Sequence, residues 1–311
     1  MLGAIASGLL FVVATVVLVF ILRDLDAAEI SSALANASQR QILLAGIFTA
    51  LSYLMLTGYD VLGLRQLGHK VAYHITAMAS FTSYAVSFTL GFPLITAGTV
   101  RYWIYSSVGL GARSIASLTL IAGVTFWLGM AVVLGLCLLL RPTDVASLSR
   151  LPIGMNMALG AVLLGSIIAY LAWVSARPRA LNVRGWSLTL PNLKVSLGQM
   201  TLGAADVCAA GAVLYVLLPQ GYNIPYESFI AAYVFACILG IASHAPGGLG
   251  VFEATILLAL PGVPKEQLLG SLLLFRLCYY LVPFVAALLL LGLREALLRL
   301  RALRNRAQAP R

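Results

Sequence analysis

Leu2 to Leu22 is a run of 21 residues without a charge, and seven more apolar segments follow, at roughly 41–64, 71–100, 114–140, 153–176, 195–218, 228–261 and 268–293. An α-helix rises about 1.5 Å per residue, so about 20 apolar residues cross a hydrocarbon core of about 30 Å. A chain with this many runs of that length folds in a bilayer. With 61% of its 311 residues hydrophobic, 10% charged and a mean hydropathy of +0.98, it has the composition of a polytopic membrane protein. Nothing basic precedes the first run, which exceeds the apolar core of a signal peptide, so it is read as a retained span.

Several chemistries are excluded by what the runs contain. Cys137, Cys208, Cys237 and Cys278 fall in apolar segments without metal-ligand spacing, and His69, His74 and His244 are widely scattered. No metal, cofactor or catalytic residue is implied, since nucleophile elbows and phosphate loops are missing and the glycine-rich "PGGLG" has no lysine. The net charge of +10 does not point to nucleic acid. Six of the 20 basic residues lie in the tail Arg294 to Arg311, behind a long apolar helix, which is where a cytoplasmic terminus meets anionic inner-leaflet lipid.

Charge placement constrains the topology. If all eight segments crossed and the tail were cytoplasmic, ten basic residues would lie inside and nine outside, which is no bias. The stretch "SHAPGGLG" offers another path. It separates Ser228–Ala242 from Gly250–Leu260, each too short to cross, and a proline with glycines permits a turn at mid-depth, so the pair reads as a re-entrant hairpin. Backbone of that kind is tolerated in a membrane only where protein or a water-filled cavity satisfies it.

A weaker copy of this pattern lies 152 residues earlier, counted from Arg101 to Glu253. Pro93, Gly98 and Arg101 read P-x4-G-x2-R, and Pro246, Gly250 and Glu253 read P-x3-G-x2-E, with Gly247 and Gly248 in the second turn. A span carrying an aspartate, Asp60 or Asp206, precedes each copy, and a long apolar span follows each. The expected fold is therefore an all-α integral membrane protein of two inverted-topology repeats, with about six spanning helices and two re-entrant Pro/Gly-broken hairpins. The first repeat is 1–150, the second 151–293, and 294–311 is a basic cytoplasmic tail. Thirteen basic residues then lie inside and five outside, with both termini cytoplasmic. Making only the second hairpin re-entrant gives fourteen against five and an external N-terminus, so charge does not separate the two arrangements; the likeness of the halves selects the first.

Asp60, Arg101, Asp206, Glu253 and Arg276 lie in or at the ends of apolar segments, where an ionised group costs a few kcal/mol and normally faces a cavity or a partner. Asp60, four residues before the end of its span, also suits the headgroup level, and Arg276 suits a structural carboxylate partner. Arginine's planar fork fits a phosphate and a carboxylate fits an ammonium, so Arg101 and Glu253 at the breaks suit a phospholipid headgroup. The alternative is that they neutralise each other. Tyr102, Trp103, Tyr105, Trp127, Tyr279 and Tyr280 are read as interface or packing aromatics.

At these residues the chain resembles a known family. "GYD", "AGTVRYWIYSSVGL", "VTFWLG", "DVCAAGAVLYVLLP", "ASHAPGGLGVFE" and "FRLCYYLVPF" look like the N-terminal membrane domain of the bacterial lysylphosphatidylglycerol synthase and flippase, the multiple peptide resistance factor. The resemblance implies a bacterial inner-membrane protein that moves aminoacylated phosphatidylglycerol between leaflets, lowering surface charge against cationic antimicrobial peptides. It also implies roles for Asp60, Arg101 and Glu253. Synthases of that family continue into a cytoplasmic transferase domain that this chain lacks, so the expectation is a lipid translocase without transferase activity, either a fragment or a stand-alone relative. Two alternatives stay open: a transporter of polyprenyl phosphate or a small solute, and a non-transporting subunit that partners a separate lipid synthase.

Overall fold

A computed structural model describes residues 33–35, 37–149, 151–176, 180–183 and 186–307. The run Leu2–Leu22 lies outside the described residues. Among the described residues the regular structure is helical apart from one two-stranded antiparallel hairpin, β1 (Ala180–Val183) with β2 (Trp186–Thr189), in a connection.

Helix α1 (Gln39–Gln66) begins at a reciprocal cap, in which the Ser38 hydroxyl accepts from the Gln41 amide and the Gln41 side chain accepts from the Ser38 amide. The next helix, α2 (Tyr73–Leu90), is rich in serine and threonine, and Thr76, Ser80, Ser83 and Ser87 are all buried at spacings that place them on one face. It stops at Gly91 and Phe92, both with positive φ (78° and 50°), and Pro93 then opens α3 (Pro93–Tyr105) at a position where a proline's missing donor costs nothing. A short 3-10 turn (Ser106–Val108) leads into α4 (Ala112–Leu140), which is followed by the short α5 (Pro142–Ser149).

In the second half the order long helix, shorter helix, break, shorter helix, long helix recurs after α6 (Ile153–Ala176) and the β-hairpin. Helix α6 is followed by the β-hairpin and by α7 (Leu193–Leu217), whose first turn is capped by Asn192 accepting from the Val195 amide. Then come α8 (Tyr226–Ala242), a break, and α9 (Val251–Ala259). In that break His244 has φ of 56°, Pro246–Gly248 form a 3-10 turn, and Gly247, Gly248 and Gly250 all have positive φ. Residues 265–307 run as α10 (Lys265–Phe275), a π-helical turn (Arg276–Leu281) and α11 (Val282–Ala307).

Five helical stretches among the described residues are long and apolar enough to cross a membrane: Gln39–Gln66, Ala112–Leu140, Ile153–Ala176, Leu193–Leu217 and Lys265–Leu298. They coincide with five of the spans expected from sequence. Helices α8 and α9, at 17 and 9 residues, fall short. One turn element differs from the expectation. Gly98 lies inside α3, and the first break is made by Gly91 and Phe92, because Pro93 serves as the first residue of the new helix and not as the corner.

Packing places α7 at the centre. It lies along α1 on one side and α4 on the other. The α4–α7 crossing is so close that a Cβ on Gly129 would run into the Gly203 backbone, and one on Gly203 would come within 2.6 Å of the Thr125 carbonyl. Large apolar side chains such as Val162, Ile168, Leu258 and Leu289 stay exposed on the periphery, as suits helices whose outer faces meet lipid tails. The second break touches the last turn of α2, since a Cβ on Gly247 would stand 3.2 Å from the Phe88 carbonyl.

Hydrogen bonds and cavities gather the loops at two ends. Gln199 donates to Gln66, and His69 bonds Ser114, which draws the α1–α2 loop, the start of α4 and the start of α7 together. At the opposite end a cavity of about 280 Å³ is bordered by Arg40, Gln41, Tyr215 and Tyr222. A second, of about 380 Å³, is bordered by Tyr222, Asn223, Pro261 and Gly262. Ser228 donates to Asp144 there, at the starts of α8 and α5.

Candidate functional site

Three clusters of buried polar residues run through the centre of the molecule. The first is built by α1 and α3. Arg101 Nε donates to Asp60 Oδ2 at 3.1 Å and Nη2 to Oδ1 at 2.7 Å, a two-point fork. Tyr105, one turn beyond Arg101 on the same face of α3, donates to Asp60 Oδ2 at 2.9 Å. The guanidinium carbon lies 4.9 Å from the centre of the Tyr84 ring, so α2 covers the pair. Side-chain exposure is 1% for Arg101 and 0% for Asp60. Asp60 is therefore in the interior of the protein.

The second cluster surrounds Asp206 on α7, which is 2% exposed. Ser52 of α1 donates to Oδ1 at 2.5 Å and Tyr59 of α1 donates to Oδ2 at 2.9 Å. The Ser52 oxygen is also 2.8 Å from the Tyr279 hydroxyl of the π-helical turn. That turn exposes backbone groups an α-helix would use, and Tyr53 donates to the Tyr279 carbonyl at 3.3 Å.

The third cluster explains the motif around the second break. Arg276 Nε donates to Glu253 Oε1 at 2.8 Å, and Nη1 donates to the Gly247 carbonyl at 2.7 Å. Nη2 lies 2.6 Å from the same carboxylate oxygen but is not aligned to donate to it. Glu253 Oε2 in turn accepts the Gly250 amide at 2.8 Å and so caps α9. The break thus supplies a carbonyl to the arginine and an amide to the glutamate, which only a backbone released from helical bonding can do. Tyr280 and Phe252 rings flank the guanidinium at 4.7 and 5.7 Å. Exposure here is 16% for Arg276 and 19% for Glu253, so this is the pair that solvent or a headgroup can reach.

Aromatic rings join the clusters. Tyr59 meets Tyr84 edge-on at 6.0 Å between the first and second, and Tyr279 meets Tyr280 at 5.4 Å between the second and third. All five charged residues singled out in the sequence are therefore in the interior. They are not arranged around one open cavity, because the first two clusters are sealed by packing. Nor do Arg101 and Glu253 neutralise each other, since each takes a partner from its own half. Sequence reasoning missed Ser52, Tyr59 and Tyr84, and gave Tyr105, Tyr279 and Tyr280 only packing roles. The i+4 spacing of Tyr105 from Arg101, and the i+3 and i+4 spacing of Tyr279 and Tyr280 from Arg276, were the available signals. Tyr102 and Trp127 are surface residues, as expected.

A string of charges and tyrosines runs inside a bundle whose outer faces are apolar. Comparison with known proteins gives the family. Residues 5–287 match the family described as the lysylphosphatidylglycerol synthase TM region. The chain belongs to this family. It is 34% identical over 267 residues to the protein slr0712 of Synechocystis sp., covering 85% of this chain and 83% of that protein. The inner membrane protein YbhN of Escherichia coli is 29% identical over 295 residues, 94% of this chain and 92% of the relative. A phosphatidylglycerol lysyltransferase of Staphylococcus aureus is 25% identical over 280 residues, 88% of this chain but 32% of the relative. The family domain is thus a multi-pass membrane unit, and of the lysyltransferase this chain spans about a third.

Proposed function

We propose that the protein moves a phospholipid headgroup between leaflets, with aminoacylated phosphatidylglycerol as the first candidate cargo. The observation that carries this reading is the partly accessible Arg276–Glu253 pair at the broken helix, continuous through tyrosines with the buried Asp206 and the Asp60–Arg101 pair. Arg276 offers a fork to the phosphate and Glu253 a carboxylate to an ammonium, each freed from the other as the headgroup enters. The sealed clusters open in turn as it passes, while acyl chains stay in the lipid. The likeness to a lysyltransferase's membrane region supports the choice of lipid.

The topology that serves this function is two inverted repeats with re-entrant hairpins, α2–α3 and α8–α9, and both termini cytoplasmic. The repeated element order supports it. So does the grouping of Arg65, Lys70, Arg113 and Lys194 near the end tied by Gln66–Gln199 and His69–Ser114. The opposite end, where α8 starts and α9 finishes, carries Arg40, Arg141 and Lys265. The basic tail meets anionic lipid on the inner face.

The sealed Asp60–Arg101 pair favours one competing reading, in which the charges are structural and the protein serves a separate synthase without transporting. A leaflet-resolved assay of the purified protein in liposomes separates the two. Faster exchange of aminoacylated phosphatidylglycerol than in protein-free vesicles is expected; no acceleration for any aminoacyl, anionic or polyprenyl phospholipid overturns the transport reading.

A further inference from the structure

In the first half, the aspartate of the long helix is held by an arginine from the helix after the break: Asp60 by Arg101. In the second half that position carries Glu253, which takes Arg276 instead. Asp206 is left with hydroxyls alone. No lysine or arginine lies within ion-pair distance of it among the described residues. A carboxylate sealed between helices without a cation is costly while ionised and ordinary while protonated.

The groups that face Asp206 come from every side. Helix α1 offers Ser52, Tyr53 and Tyr59, α2 offers Tyr84, the π-helical turn offers Tyr279, and α8 offers Cys237; Cys208 is on its own helix. None of these carries a positive charge. Arg101 and Arg276 stand one ring further off, behind Tyr84 and Tyr280. The hydrogen-bond chain has two polarities. With Asp206 ionised, Tyr279 donates to Ser52 and Ser52 donates to Oδ1. With Asp206 protonated, its own hydroxyl donates to Ser52, and Ser52 donates to Tyr279. Tyr279 lies three residues beyond Arg276 in the same π-helical turn. Three buried hydroxyls of the same interior, Thr49, Ser83 and Ser87, make no hydrogen bond among the described residues.

We propose that Asp206 is a proton-binding site that loads and unloads during the transport cycle, with Ser52 and Tyr279 relaying its state to the Arg276–Glu253 pair. The proton is taken from water on one side onto a carboxylate oxygen and returned to water on the other; no other bond forms or breaks. The proposal rests on the lipid-transport reading for its purpose, but the site can be tested without it. In an infrared pH titration of the purified wild-type protein from about pH 5 to about pH 9, a carboxylic-acid C=O band should titrate, vanish in Asp206→Asn and persist in Glu253→Gln. A titrating band left intact by Asp206→Asn, or no such band, overturns the proposal whatever the protein does to lipid. Ser52→Ala serves as a second variant: the band should remain but shift in frequency as its partner is lost, and an unmoved band contradicts the relay. The transport arm uses proteoliposomes carrying aminoacylated phosphatidylglycerol. If one proton moves per lipid, a gradient of about one pH unit sustains an about tenfold leaflet asymmetry at equilibrium, and Asp206→Asn returns it to about one. Movement without asymmetry in the wild type overturns the coupling. Absence of lipid movement under any gradient overturns the transport reading, and with it the coupling, while the band alone decides the site.

Discussion

Arg101 and Asp60 hold each other at almost zero exposure, so truncating either leaves an uncompensated charge in the interior. Arg101→Ala should cost about 3–5 kcal/mol of stability, read as a lowered unfolding midpoint in detergent. The exchanged pair Asp60→Arg with Arg101→Asp should recover more of it than either single exchange if the pair is structural. Glu253 holds a different position: it is partly accessible and serves both Arg276 and the Gly250 amide. Replacing it with glutamine keeps the shape but removes the charge. Glu253→Gln should lower lipid exchange about tenfold to a hundredfold, the size of one charge-assisted bond, while thermal unfolding stays close to wild type. The five charges were legible in the sequence because a charge inside an apolar run is expensive wherever it ends up. Their partners were not, because Asp60–Arg101 and Glu253–Arg276 are set by which helices pack together, and either arginine could have served any of three carboxylates. The tyrosines were hidden for a related reason: a ring near a charge in sequence reads equally well as packing.

Helix by helix, the fold depends on one close approach and two breaks. The Gly129–Gly203 crossing leaves no room for a side chain on either face. Gly203→Ala should therefore destabilise by about 1–3 kcal/mol and loosen the central helix that carries Asp206, seen as a lower melting midpoint and faster hydrogen exchange in α7. The second break was legible because one proline and three glycines within "PGGLG" cannot continue a helix. The first corner lies just before Pro93, at Gly91 and Phe92, and uses a phenylalanine in the left-handed region, which few sequences signal. The long spans were readable from length and hydropathy alone, whereas α2, inside the apolar run 71–100, is less apolar than they are because its buried face carries Thr76, Ser80, Ser83 and Ser87. The π-helical turn at Arg276–Leu281 left no trace in composition.

At the scale of the whole molecule, the proposed orientation fixes which loops share a side of the membrane. With both hairpins re-entrant, Lys70 and Arg113 share a side, and Tyr222 lies opposite. Single cysteines placed at 70 and 113 should react with a membrane-impermeant thiol reagent from the cytoplasmic side only, and one at 222 from outside only. A cysteine at 70 reacting together with the one at 222 would mean that α2 and α3 cross. The account as a whole stands on the claim that a headgroup enters the charged interior at the broken helix. The direct measurement is a structure of the protein in nanodiscs containing aminoacylated phosphatidylglycerol. The account predicts lipid phosphate within about 4 Å of the Arg276 guanidinium, with the Glu253 contact opened. Lipid confined to the apolar periphery at saturating concentration, with the Arg276–Glu253 pair closed, would contradict it.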